Sequence, residues 1–220
     1  MLLTDNELSR LEASWKDEAS LARIELNWQR LEKWCTELGD RQGPVNDMLA
    51  HMGERAATAP ASSRLEFHNA FPGGLVDHSL RVLARTIDLA AALRVRVPKE
   101  SLIISAIFHD WGKVGTLDRD YYVYQDSDWH RKRGQVYTVD ETIRMPNAQL
   151  GLFVMSQFGV KLSEDEYLAI LLNDGQYAAE NKPYSMREGR LATLIHFADR
   201  WSAECEKGRK TLLDDDSPKS

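Results

Sequence analysis

The chain has only two cysteines among its 220 residues, Cys35 and Cys205. They lie too far apart to form a CxxC pair, so neither a disulfide framework nor a thiolate metal site belongs to this design. Long apolar stretches are also missing: no run approaches the roughly 18 residues a membrane span needs. The N-terminus, MLLTDNELSR, has no basic segment leading into an apolar one. A cytoplasmic protein with no membrane partner is therefore expected. Glycine and proline are sparse, at 13 and 7 residues, which excludes collagen-like and proline-rich architectures. Positive charge is in deficit, with Lys+Arg at 28 against Asp+Glu at 34 and a net charge of −6. A protein that coats nucleic acid needs a broadly basic face to neutralise phosphates, so the balance argues against that role and leaves room for a small basic pocket. What is present is apolar material, 43% of the chain, enough for one domain with appendages.

The apolar residues recur mainly at helical spacing. Thr4 and Glu7 stand at capping-box distance, and Leu8, Leu11, Trp15, Ala19 and Ala22 follow at steps of three and four. Residues 5–38 read as one long helix or two, and 44–57 as another. Thr58–Ser63 is small and turn-rich, the best candidate for a hinge. Helical stripes return from Gly74 to Ala90, in KESLIISAIFHD after Pro98, at 147–158, at 164–172 behind the Ser163/Glu166 capping box, and at 187–206. Between them YYVYQ and QVYTV, rich in aromatic and β-branched residues, predict a β-hairpin or two extended arms. The expected fold is an all-α helical bundle with one small β-hairpin excursion and extra N-terminal helices. Its expected parts are an N-terminal helical extension (1–60), a main domain (61–207) and a disordered tail (208–220).

Four polar residues interrupt faces that are otherwise apolar. His78 lies between Leu75 and Val82, His109 follows Leu102 and Ala106 with Asp110 beside it, and Asp199 sits between Ile195 and Ala203. An unpartnered buried carboxylate costs several kcal/mol, and one divalent cation would satisfy all four groups at once. Any one of them alone is readily explained as a hydrogen-bonded core residue; the combination carries the argument. Two imidazoles and two carboxylates suit Mn²⁺, Fe²⁺, Co²⁺, Ni²⁺ or Mg²⁺ with positions left for water, and not a closed structural zinc site.

The segments FHNAFPGGLVDHSLRV (67–82), AIFHDWGKVG (106–115) and LIHFADRWSA (194–203) together resemble the H…HD…D signature of the HD-domain metal-dependent phosphohydrolase superfamily. They are similar to the branch containing 3′→5′ exoribonucleases and the HD domains of some relaxases, with uncharacterised phage and bacterial relatives. The resemblance covers about residues 65–206 and does not reach the N-terminal helices. It implies an all-α HD fold, His78, His109, Asp110 and Asp199 as metal ligands, and Lys113 as a phosphate-holding residue, although a solvated helix-end lysine is an equal reading. Asp110 would orient or deprotonate water. Some single-metal nucleotidases of the superfamily carry Glu at the Lys113 position, and this chain does not. Relatives with a second metal have histidines where Asn147 and Asn173 stand here, so a single ion is expected, with Asp174 available beside it.

His196, three residues before Asp199, is expected either to orient a ligand from behind or to pack in the core. His68 is expected to touch substrate phosphate or simply to serve the turn before the glycine pair. Arg81 and Arg85 are candidates to receive phosphate, against the plainer reading of a solvated stripe. Arg131, Lys132 and Arg133, near Trp129 and Tyr137, would suit a nucleotide strand or merely decorate a hairpin tip. Trp15, Trp28 and Trp34 suggest helix packing or, secondarily, a homodimer interface. The function expected is hydrolysis of a phosphoester bond in a nucleotide or short single-stranded nucleic acid by metal-activated water. The alternative is a catalytically reduced HD module that binds a nucleotide or a protein partner.

Overall fold

A computed structural model describes residues 2–215. Nearly all of its regular structure is helical. The N-terminal pattern resolves into two helices, α1 (Asp5–Ser14) and α2 (Glu18–Cys35), because Asp17 takes extended backbone and caps the second by accepting from the Ser20 amide. Both expected capping boxes form, at Thr4/Glu7 for α1 and at Ser163/Glu166 for α8 (Glu164–Leu171). The remaining long helices are α3 (Gln42–Thr58), α4 (Gly74–Ala92), α5 (Lys99–Phe108), α7 (Asn147–Gln157) and α9 (Gly189–Glu206). No helix among the described residues is long and apolar enough to cross a membrane.

Between α5 and α7 the chain forms the expected hairpin. Strand β1 (Tyr122–Tyr124) pairs antiparallel with β2 (Tyr137–Val139), Val123 facing Thr138, and one short helix, α6 (Asp128–Arg131), fills the connection.

The main core is built where α4, α5, α8 and α9 meet. Val82, Leu83, Ile103, Ile104, Phe108, Ile170 and Ile195 are completely enclosed there, together with Leu31, Val45 and Met48 from α2 and α3. Burying each such side chain stabilises the fold by roughly 1.5–3 kcal/mol. Helix α5 is apolar on every side because it is surrounded, Leu102 to Phe108 being buried without interruption. Trp28 and Trp34 pack against this core. A second, smaller core joins Leu8 and Trp15 of α1 to Leu65, Phe71, Val136, Tyr137 and Leu212.

Two sequence expectations need correction. Thr58–Ser63 is not a loose hinge: Ala59, Pro60, Ala61 and Ser62 are buried, and its backbone is tied down by bonds from Leu75 N to Ala59 O and from Ala61 N to Asn69 O, both 3.0 Å. Small side chains there permit close packing as well as they would permit flexibility. The segment 208–215 is not a disordered tail. Arg209 and Leu212 are buried, and the Trp15 indole donates to the Lys210 carbonyl at 2.7 Å. The last five residues, 216–220, lie outside the described residues.

Candidate metal centre

Helix α4 enters the site at its first turns. Gly73 precedes it with a positive φ of 78°, and a Cβ on Gly74 would stand 2.1 Å from the Asn69 carbonyl oxygen, so only glycine lets the 68–69 loop lie this close. His78 is completely buried on the inner face of α4. Its Nδ1 donates to Oε2 of Glu206 at 2.8 Å, and its Nε2 faces Oδ1 of Asp199 at 3.0 Å.

His109 and Asp110 follow the last turn of α5, where helix carbonyls run out of intrahelical partners. His109 uses one of them, donating from Nδ1 to the Ala106 carbonyl at 2.8 Å. That bond fixes the ring and leaves Nε2 as the nitrogen facing the carboxylates, an atom buried without a hydrogen-bond partner. It stands 3.4 Å from Asp110 Oδ2 and 3.6 Å from Asp199 Oδ1, while His78 Nε2 is 3.9 Å from Asp110 Oδ2. Ligand atoms placed 2.0–2.2 Å from one ion lie roughly 3 to 4.4 Å from each other. These four separations fall in that range, and His78, His109 and Asp199 on the one hand and His68, His78 and Asp110 on the other bring ligand atoms within 4.8 Å of one another.

Asp110 is itself held in place. Asn147 donates to its Oδ1 at 2.6 Å, Asn173 reaches the same oxygen at 3.4 Å and the His109 carbonyl at 3.1 Å, and the Lys113 ammonium contacts Oδ2 at 2.5 Å. Asn147 gets there because α7 starts directly over Gly112, where a Cβ would meet the Asn147 carbonyl oxygen at 2.0 Å. His196 donates from Nδ1 to the Asn173 carbonyl at 2.7 Å, bracing that asparagine from behind.

The electrostatics follow from crowding. Burial pushes the His78 imidazole down, but Glu206 and Asp199 outweigh it and hold it up at about 9. Burial likewise opposes the charged form of His109, and Asp110 and Asp199 raise it to about 10. Burial opposes ionisation of Asp110 and Asp199 too, yet Lys113 and His109 hold the first well below the usual carboxylate range, and His109 and His78 hold the second below it. His68, whose ring centroid is 4.6 Å from that of His78, is pushed well down by burial and by the neighbouring positive charge. Asp174 is pushed up by burial and by Asp110. The site therefore takes up protons when no cation is there to do the same work.

A cavity of about 650 Å³ opens onto these groups, lined by His68, Asp110, Lys113, Asp174, His196 and Asp199 and also by Phe67, Tyr122, Arg200 and Lys207. The expected residues thus gather, with exceptions. Arg81 turns away: it donates to Asp77 at 2.7 Å and lines a different cavity. Arg85 meets Ser202 at 3.1 Å and stands 3.9 Å from Glu206, behind the centre. The cations of α6 and the residues after it are engaged elsewhere. Arg131 pairs with Asp128 and Glu12, Lys132 with Asp5, and Arg133 lies 3.6 Å over the Trp129 ring.

Sequence reasoning missed Glu206 and the buried network behind it. Asn69 donates to Glu206 at 3.0 Å and to Asp77 at 3.3 Å, and Arg209 donates to both Asp77 (2.7 Å) and Asn69 (3.0 Å). The signal for Glu206 was its place two helical turns after Asp199, on the same face of α9. Compared with protein-family models, with curated proteins and with solved structures, the chain matches none.

Proposed function

We propose that this protein is a metal-dependent phosphohydrolase of HD type, acting on a nucleotide or the end of a short single-stranded nucleic acid. The observation that carries the reading is the buried, unpartnered Nε2 of His109, pointed at two carboxylates and a second imidazole whose other nitrogen is already bound. His78, His109, Asp110 and Asp199 would hold one divalent ion. Such an ion supplies Lewis acidity, which neutralises charge on phosphoryl oxygens and makes water a better nucleophile at neutral pH.

The chain's own residues do the rest. Lys113 and Asn147 keep Asp110 ionised and fix its orientation, so that its carboxylate is set to hold the ion and orient a water bound to it. The Lys113 ammonium, on the cavity wall, also stabilises negative charge on a phosphoryl group placed against Asp110. Arg200 and Lys207, both paired with Glu204, add positive charge at the rim. Half-exposed Phe67 and the Tyr122 ring offer an apolar wall to a base. The cavity suits one nucleotide and leaves no room for a duplex. Asn147 and Asn173 give an N–H to Asp110 and have only amide oxygens to offer a cation, weaker ligands than imidazole for a transition metal, which favours a single ion.

The test is a panel of ribonucleotides, deoxynucleotides, cyclic dinucleotides and single-stranded RNA with Mn²⁺ supplied. Turnover that EDTA abolishes and that Asp110→Asn reduces by at least 100-fold supports the reading. Binding of a panel member without turnover would instead assign the reduced, ligand-binding form of the same fold.

A further inference from the structure

On the face of α4 next to the one that carries His78, α2, α4 and the start of α5 line an open cavity of about 710 Å³. It shares no lining residue with the cavity over the metal centre. Arg23, Arg30 and Lys33 line it from α2, at spacings of seven and three residues that put them on one helical face. None of these three side chains forms an ion pair among the described residues. Arg81 and Lys99 add two more cations, the first held by Asp77 at 2.7 Å and the second by Glu37 at 3.0 Å. Positive charge therefore exceeds negative around one concavity, in a chain whose net charge is −6. Like charges gathered on one face repel each other, and a bound polyanion reverses that cost.

We propose that this cavity is a second ligand site, for a nucleoside polyphosphate. Arg23, Arg30 and Lys33 take the phosphates, guanidinium groups being suited to paired N–H contacts with phosphate oxygens. Trp34, Leu80 and Ala84 supply an apolar wall for the nucleoside. The Trp34 ring is held in position by packing on the main core and by the Lys99 ammonium, 5.6 Å from its centroid. The cations surround a single hollow and do not run along the surface as a track, which fits a compact ligand and not an extended strand.

The experiment is calorimetric titration in EDTA, which silences the metal centre and separates this proposal from the hydrolytic one. Titrants are ATP, adenosine, inorganic tripolyphosphate and a short single-stranded oligonucleotide. ATP is expected to bind the wild type and His109→Ala with equal affinity. The Arg23→Gln/Arg30→Gln variant, altered only on the outer face of α2, is expected to bind at least 10-fold more weakly with an unchanged Tm. Lys33→Gln provides a second, milder variant expected to weaken binding several-fold. Adenosine should not bind, and tripolyphosphate should bind more weakly than ATP. The proposal is overturned by no saturation with millimolar ATP, by undiminished affinity in the arginine variant, or by loss of binding in His109→Ala. Equal binding of tripolyphosphate would overturn the nucleoside assignment, and tighter binding of the oligonucleotide would replace the nucleotide with a strand.

Discussion

Nδ1 of His78 donates to Oε2 of Glu206 at 2.8 Å, and both side chains are completely buried. Since Glu206 accepts that proton, Nε2 is the nitrogen left to face Asp199, and the ring cannot turn without breaking a charge-assisted bond in a dry environment.

Glu206→Gln should therefore weaken Mn²⁺ binding by about 10- to 100-fold, the usual effect of losing a carboxylate behind a ligating imidazole. The amide can still accept from Nδ1 but lacks the charge. Isothermal titration with Mn²⁺ checks this, and a variant with unchanged affinity would remove Glu206 from the account.

The pH behaviour of the metal-free protein follows from His78 and His109, raised to about 9 and about 10. Their folded values exceed the ordinary imidazole value near 6.5. Their contribution to stability is accordingly complete below pH ~6.5 and is lost as pH rises through 9 and 10. In EDTA, Tm should fall across that window. At pH 7.5, Mn²⁺ binding should expel close to two protons, measured by calorimetry in buffers of different ionisation enthalpy. Binding without proton release would mean that the two imidazoles are not the groups displaced.

Arg209 and Asp77 form a buried ion pair at 2.7 Å. Replacing Asp77 with Ala strands the Arg209 guanidinium and should destabilise the fold by roughly 3–5 kcal/mol, as for other broken buried pairs. Urea denaturation measures the loss. Because Asn69 links Asp77 to Glu206, the same variant should also bind Mn²⁺ more weakly.

Gly112→Ala places a methyl 2.0 Å from the Asn147 carbonyl oxygen. Helix α7 must shift, withdrawing Asn147 from Asp110. The expected outcome is a loss of about 1–3 kcal/mol from overpacking and lower Mn²⁺-dependent turnover, read by thermal denaturation and the substrate panel.

The helices were legible in the chain because their signals are local: apolar steps of three and four, and two capping boxes that form as their spacing dictates. The four inward-facing residues were legible for a related reason. His78, His109, Asp110 and Asp199 break apolar faces, and a polar group in such a place needs a partner. Glu206 was not, since a glutamate next to Lys207 and Gly208 reads as an ordinary charged helix end. Arg81 misled because it sits one turn from His78, yet Asp77, four residues earlier, draws it to the neighbouring face. Arg209 is buried through bonds to Asp77 and Asn69, more than 130 positions away, and Leu212 through a core it shares with α1, Phe71 and β2. No periodicity within the segment announces such contacts.

The most direct test is the stoichiometry of Mn²⁺ bound by the wild type and by His109→Ala, with Tm recorded for both. The proposed metal centre predicts one ion per folded wild-type chain and none in the folded variant. A wild type that binds no divalent ion, or a variant that retains its full equivalent, would contradict it.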